Sequence, residues 1–194
     1  MIKMNFRHYI LLFFFFSLPG WLPAPDLPVN DAFASLEKMR LEIIKRDKAQ
    51  YLQKYTSLKQ ALAKYESNNN WKEYNQYGFI GKYQFGRSAL NATGFGDRSF
   101  KKFRANPATF TEQDQEKAMD ILLGINESVM EYSIDKYVGL TMLGKIKITR
   151  TGILAAAHLA GPANVKEFLD SYGRKNVKDR MGTYISDYLQ RFAL

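Results

Sequence analysis

Apolar residues recur at helical spacing over most of the chain, and few stretches alternate as a half-buried strand would. Between residues 56 and 66, Leu58, Ala61, Leu62 and Tyr65 follow i, i+3, i+4, i+7 spacing, which predicts a helix with one buried face. Glu66 follows Leu62 by four residues and Leu58 by eight, so it falls on the border of that face. Asn68-Asn69-Asn70 ends the helix, because asparagine tolerates the left-handed cap conformation. Upstream, the charged segment 35–55 carries a partial apolar stripe of Leu36, Met39, Leu41, Ile43 and Ile44, predicting a leading helix packed on the domain. Downstream, residues 71–86 hold Trp71, Tyr74, Tyr77, Phe79, Tyr83 and Phe85 among Gly78, Gly81 and Gly86. A short hairpin and an irregular loop both fit Tyr77 to Gln84.

The remaining pattern is again helical. Ser88 to Thr93 reads as a short helix closing at Gly94, and 95–110 as a basic loop with Lys101, Lys102 and Arg104 before Pro107. Thr111, with Asp114 three residues on, opens a long helix in capping-box style. Its expected buried stripe is Ala118, Ile121, Leu122, Ile125 and Val129, and it runs towards Tyr137 and stops near Gly139. Residues 140–149 suit a short extended piece. An alanine-rich helix from Thr151 to Ala160 ends at Gly161-Pro162, and Pro162 suits the first turn of a helix reaching about Asp170. A last helix covers about 182–192. The sum is a mainly α single domain with a small hairpin or irregular loop.

Composition narrows the chemistry. The chain has 194 residues, 46% of them hydrophobic, enough for one domain to bury a core without metals or disulfides. The absence of cysteine removes thiol catalysis, thiolate metal sites and disulfides. The two histidines are His8 and His158. Zinc needs several nitrogen or thiolate ligands, so neither a metal nor any other cofactor is expected. A Ser-His-Asp triad would have a histidine but lacks a nucleophile-elbow motif.

The net charge of +9 suits either plain solubility or a polyanionic partner. Residues 1–34 resemble a secretory signal. Lys3 and Arg7 precede an apolar run from Tyr9 to Leu18, Pro19 and Gly20 break it, and Ala32-Phe33-Ala34 supplies small residues for a peptidase. The run is about ten residues, against the roughly 20 that span a bilayer. An uncleaved anchor is the alternative. Either way the domain is expected in the periplasm or outside the cell. Nucleic acid is then excluded as a partner, and an anionic envelope polymer is favoured. Removing 1–34 takes away Lys3, Arg7, Asp26 and Asp31, so the basic excess belongs to the remainder.

Glu66 is the sharpest candidate for chemistry. A carboxylate at a helix C-terminus meets the negative end of the dipole, and partial burial disfavours its charged form further. Both raise its pKa above the free value of about 4.3. A neutral carboxylic acid is what protonating a glycosidic oxygen requires. A glutamate satisfying backbone amides in the next turn would show the same spacing. The surrounding aromatics suit stacking on sugar rings or core packing. His158, alone on its alanine-rich helix, suits the core equally well. The sequons at Asn91 and Asn126 matter only in a eukaryotic secretory route.

Three ordered blocks resemble the lysozyme-like lytic transglycosylases. The family's helix ending in Glu-Ser is matched by Glu66-Ser67. Its Gly-Leu-Met-Gln type loop is matched loosely by Gly81-Lys82-Tyr83-Gln84. Its Ala-Tyr-Asn-Ala-Gly type helix is matched by Ala157-His158-Leu159-Ala160-Gly161. The chain looks like a divergent bacterial branch with a Gly-Thr-x-Ile-x-x-Tyr end, here Gly182 to Tyr188, and the resemblance covers about residues 56–192.

The resemblance implies an α+β lysozyme-like domain over 56–194, following a signal peptide (1–34) and a helical segment (35–55). It implies cleavage of the β-1,4 bond between N-acetylmuramic acid and N-acetylglucosamine in peptidoglycan, with a 1,6-anhydromuramoyl product and no second carboxylate. Glu66 would be general acid and then base. Ser67, Tyr83, Gln84, His158, Tyr184 and Tyr188 would line or bind the glycan. His158 stands where the family has a tyrosine against the catalytic glutamate. Neutral, it would hydrogen-bond Glu66; protonated, it would lower that group's pKa. Tyr184 or Tyr188 would supply the missing hydroxyl. A monomer acting on glycan strands is expected, with an envelope or secretion-machinery protein as a compatible partner. The rivals are a hydrolytic muramidase with Glu73 or Asp97 as second carboxylate, and a non-catalytic glycan-binding protein.

Overall fold

The computed structural model describes residues 29–179 and 181–194. The chain divides after Lys45 into two units. The expected signal sequence lies largely outside the described residues, and its peptidase motif falls within the first helix, α1 (Val29–Ser67). In the first unit the helix exposes Leu36, Met39, Leu41, Ile43 and Ile44, so the expected buried stripe of 35–55 is instead a solvent-facing set. Charged residues interrupt the spacing too often for one face to close. Among the described residues no helix is long and apolar enough to cross a membrane.

The second unit, from Arg46 on, is mainly helical. After the C-terminal part of α1 come α2 (Arg87–Ala92), α3 (Phe100–Ala105), a 3-10 turn (Pro107–Phe110) and α4 (Glu112–Tyr137). A two-residue hairpin follows, β1 (Thr141–Met142) antiparallel to β2 (Ile146–Lys147), with Met142 opposite Ile146. Then come α5 (Arg150–Ala160), α6 (Pro162–Asp170) and α7 (Ile185–Arg191). The basic stretch expected to be a loop therefore holds a helix, started by Ser99 accepting from the Lys102 amide. Thr111 caps α4 by accepting from the Asp114 amide at 3.1 Å, and Thr149 caps α5 by accepting from Gly152 at 3.0 Å.

The long helix is rotated from its expected orientation. Ala118 and Leu122 are buried, but Ile121 and Val129 are 44% and 62% exposed. The buried face runs instead through Met119, Leu123, Asn126, Met130, Ser133, Ile134 and Tyr137. Polar Asn126 and Ser133 lie inside it, which hid the register from a reading of apolar spacing alone.

Helix α5 is the centre of this unit and packs against α4, α6 and α7. Its run Thr151 to Ala157 is wholly buried. Small side chains let neighbouring backbones come close. A Cβ on Gly152 would stand 2.8 Å from the Leu189 carbonyl of α7. Glycine here seats α7, and with it the residues that α7 carries to the site. Gly152→Ala should therefore cost about 1–3 kcal/mol, as overpacking against backbone does. Chemical denaturation of the full chain measures it, and a midpoint equal to wild type would show that α7 is not seated this tightly.

Candidate active site

Glu66 sits in the last turn of α1. The helix ends as its asparagines suggest: Asn68 and Asn69 adopt φ of 55° and 66°, and the Asn69 amide donates back to the Ala63 carbonyl at 2.9 Å. Directly after it, the Ser67 hydroxyl donates to the Lys82 carbonyl at 2.7 Å. Ser67 thus ties the helix end to the loop and does not line the cleft as a binding group.

That loop is irregular, with isolated bridges from Tyr74 to Ile80 and from Ile80 to Phe85. Gln115 of α4 holds it. Its side chain is fully buried and accepts from the Lys82 amide at 2.6 Å, while its Nε2 donates to the carbonyls of Trp71 (2.9 Å) and Phe110 (2.8 Å). Gly81, at φ 79°, leaves the space this amide fills, since a Cβ there would lie 2.5 Å from Gln115 Oε1. Behind the loop is a charge cluster. Lys59 pairs with Glu116 (2.9 Å) and Asp120 (2.6 Å), and Lys82 with Glu112 (3.0 Å) and Glu116 (2.9 Å). Burial pushes the Glu116 pKa up, but hydrogen bonds from Lys59, Lys82 and Tyr83 outweigh it and hold the group below its ordinary value.

Tyr83, expected at the substrate, points into this cluster. It is 1% exposed and its hydroxyl donates to Glu116 at 2.8 Å. Its role is to anchor the loop.

The cleft has two lobes. The narrower, about 40 Å³, is lined by Glu66, Phe79, Gln84, His158, Leu159, Asp179 and Met181. The larger, about 360 Å³, shares Phe79, Gln84, His158 and Leu159 and extends along α2, α4 and the end of α5. Gln84 therefore lies in the cleft wall. At φ 49° its side chain is held on both ends, accepting from Asn75 at 3.0 Å and donating to the Gly81 carbonyl at 2.9 Å. Of the loop aromatics, Tyr83 and Phe85 are core, Tyr74 and Tyr77 are exposed, and Phe79 faces both lobes.

The hydrogen-bond partner of Glu66 is not His158. Imidazole Nε2 lies 2.9 Å from the Tyr83 carbonyl, an acceptor only, so Nε2 carries the proton and donates. Nδ1 is buried without a partner among the described residues. Burial pulls the His158 pKa down to about 4, against a smaller upward pull from the carbonyl, so the ring is neutral across the ordinary pH range. The group that reaches Glu66 is Tyr188 of α7, 1% exposed, whose hydroxyl donates to Glu66 Oε1. Tyr184 instead begins α7, its backbone amide donating to Asp187 at 3.0 Å.

Burial raises the Glu66 pKa from 4.5 to about 7; the Tyr188 hydrogen bond opposes that rise and the charge of Asp179 adds to it. Burial and the adjacent carboxylate also raise the Tyr188 phenol far above its ordinary value, so it stays a donor. With Tyr188 on Oε1, the acid proton belongs on Oε2.

Asp179 was missed as a site residue. It precedes α7, and its Oδ1 accepts from the amides of Met181 (2.9 Å) and Thr183 (2.7 Å). An aspartate two and four residues ahead of those amides is a readable turn signal. The expected second carboxylates are elsewhere. Glu73 accepts from Asn70 at 2.9 Å, Asp97 pairs with Arg98 at 2.6 Å, and neither lines the Glu66 lobe. Among the described residues no cluster of three or more histidine, aspartate and glutamate side chains is placed to hold a metal ion.

The raised pKa has a sign. A carboxyl whose folded pKa lies above its unfolded one contributes stability below about 4.5 that is lost as pH rises through about 7. Glu66→Gln removes the ionisation. The variant should exceed wild type in stability at pH 8 by about 2–3 kcal/mol, after allowance for partial exposure, with the gap closing at pH 4. Paired denaturation curves at the two pH values measure this, and a constant gap would contradict it.

No protein-family model, curated protein or solved structure matches this chain.

Proposed function

We propose that this protein is a lytic transglycosylase of lysozyme-like fold that cleaves the N-acetylmuramic acid–N-acetylglucosamine bond of peptidoglycan in the periplasm or outside the cell. The observation that carries the reading is Glu66, a carboxyl in a cleft wall whose pKa is raised to about 7 and whose nearest donor is a buried tyrosine. Such a group is protonated in about half of the molecules at neutral pH and can release that proton to a glycosidic oxygen. The Glu66-Ser67, Gly81–Gln84 and Ala157–Gly161 blocks support the family assignment, and the net charge of +9 suits an anionic wall polymer.

The chemistry then runs through one glutamate. Glu66 Oε2 gives its proton to the glycosidic oxygen, and the C1–O bond breaks with its electron pair on the leaving sugar. The muramoyl acetamido oxygen bonds to C1. Glu66, now a carboxylate held by the Tyr188 hydroxyl, takes the proton of the 6-hydroxyl. O6 displaces the acetamido oxygen and closes the 1,6-anhydro ring. Glu66 ends protonated, as it began.

A hydrolytic muramidase is the second reading, and Asp179 in the same lobe favours it, since a second carboxylate can hold a water. Products separate the two. Purified peptidoglycan treated with wild type should yield anhydro-muropeptides, with activity declining above about pH 7 as Glu66 ionises. Glu66→Gln should lose at least about 10²-fold in rate, within the range for a general acid. Reducing ends would establish the hydrolase. Retained binding with no release would establish a glycan-binding protein and overturn the catalytic reading.

A further inference from the structure

The carboxylate of Asp179 is held in a manner that leaves half of it for a ligand. Both backbone amides that bond it, from Met181 and Thr183, go to Oδ1. Its own amide donates to the Thr183 carbonyl at 2.9 Å, which closes the turn and fixes the side chain on it. Oδ2 receives no hydrogen bond among the described residues, and the residue lines the narrow lobe with Glu66. The two carboxyls are near enough for Asp179's charge to help hold the Glu66 proton in place.

A charged oxygen on the wall of a small lobe needs a donor or a positive charge opposite it. Water is one source. The substrate carries the other source. In the proposed reaction the acetamido oxygen bonds to C1, so the acetamido nitrogen keeps its hydrogen and acquires positive charge. A preorganised anion stabilises charge that appears only at that moment.

We propose that Asp179 is a second catalytic carboxylate, whose Oδ2 accepts a hydrogen bond from the N–H of the substrate's 2-acetamido group and offsets the charge of the cyclised oxazolinium. The inference rests on the lytic transglycosylase reading. Asp179 transfers no proton: C1 gains the acetamido oxygen as it loses the leaving oxygen, and later exchanges it for O6. Its side chain shares the lobe with the Glu66 acid: one group serves the leaving oxygen and the other the internal nucleophile. An N-acetylated sugar at the bond that breaks is thereby required, whereas a glycan with a free amine or hydroxyl at C2 would not be cleaved.

Two variants separate charge from turn. Asp179→Asn keeps an oxygen for the Met181 and Thr183 amides but loses the charge, and Asp179→Ala loses both. With peptidoglycan, Asp179→Asn should lower kcat by about 10²-fold while KM changes less than about threefold, in the range for one preorganised electrostatic contact. Its thermal midpoint should match wild type, unlike that of Asp179→Ala. The distinguishing probe is the thiazoline made from N-acetylglucosamine, whose protonated ring nitrogen stands for the oxazolinium N–H. Wild type should bind it at least about 30-fold more tightly than Asp179→Asn, while both bind a plain N-acetylglucosamine disaccharide alike. Equal thiazoline binding, including none by either protein, overturns the inference even if anhydro products form. Failure of wild type to release muropeptides overturns the functional reading, and this inference with it.

Discussion

A carboxyl group held out of water at the end of α1, with one oxygen bonded to a buried tyrosine, is the constraint on which the rest of the site depends. Burial alone would make Glu66 a strong holder of its proton and a poor donor. The Tyr188 hydroxyl opposes that by stabilising the carboxylate, and Asp179 pushes the balance back. The pKa of about 7 is the result of these opposed effects. A group poised there changes protonation state with little driving force in either direction, as the proposed acid-then-base role requires.

Tyr188 arrives from 122 residues away in sequence, so its position is a tertiary matter. The alanines of α5 and the absent Cβ of Gly152 let α7 come close enough. On the opposite side, Gln115 satisfies three backbone groups of the loop region with one buried amide, and the Glu116 cluster anchors the same loop through Lys82 and Tyr83. The cleft is thus framed by long-range polar contacts over an apolar core. A buried polar side chain with every bond made specifies one loop geometry, because any slip would leave those groups unsatisfied.

Much of this was legible in the chain. The i, i+4 spacing placed Glu66 at the edge of a buried face, the asparagines marked the helix end, and Thr111 stands where a cap belongs. Other parts were not. Apolar spacing set the α4 stripe one step out of register because Asn126 and Ser133 share its buried face. The loop aromatics looked equivalent, yet the bond from Tyr83 to Glu116 turns that side chain inward. The resemblance of Ala157–Gly161 to the family's tyrosine-bearing helix implied His158 as a partner of Glu66, but the Tyr83 carbonyl claims that ring. Asp179 was overlooked because its turn reads locally as a loop, and only packing brings it to Glu66.

The central claim is that Glu66 titrates near neutral pH because of where it sits. Carbon-13 NMR of glutamate-labelled protein, with the Glu66 carboxyl assigned by its loss in a single variant, follows that proton directly. The account predicts a midpoint near 7 for this one resonance. A midpoint in the ordinary glutamate range, about 4.3, would contradict it.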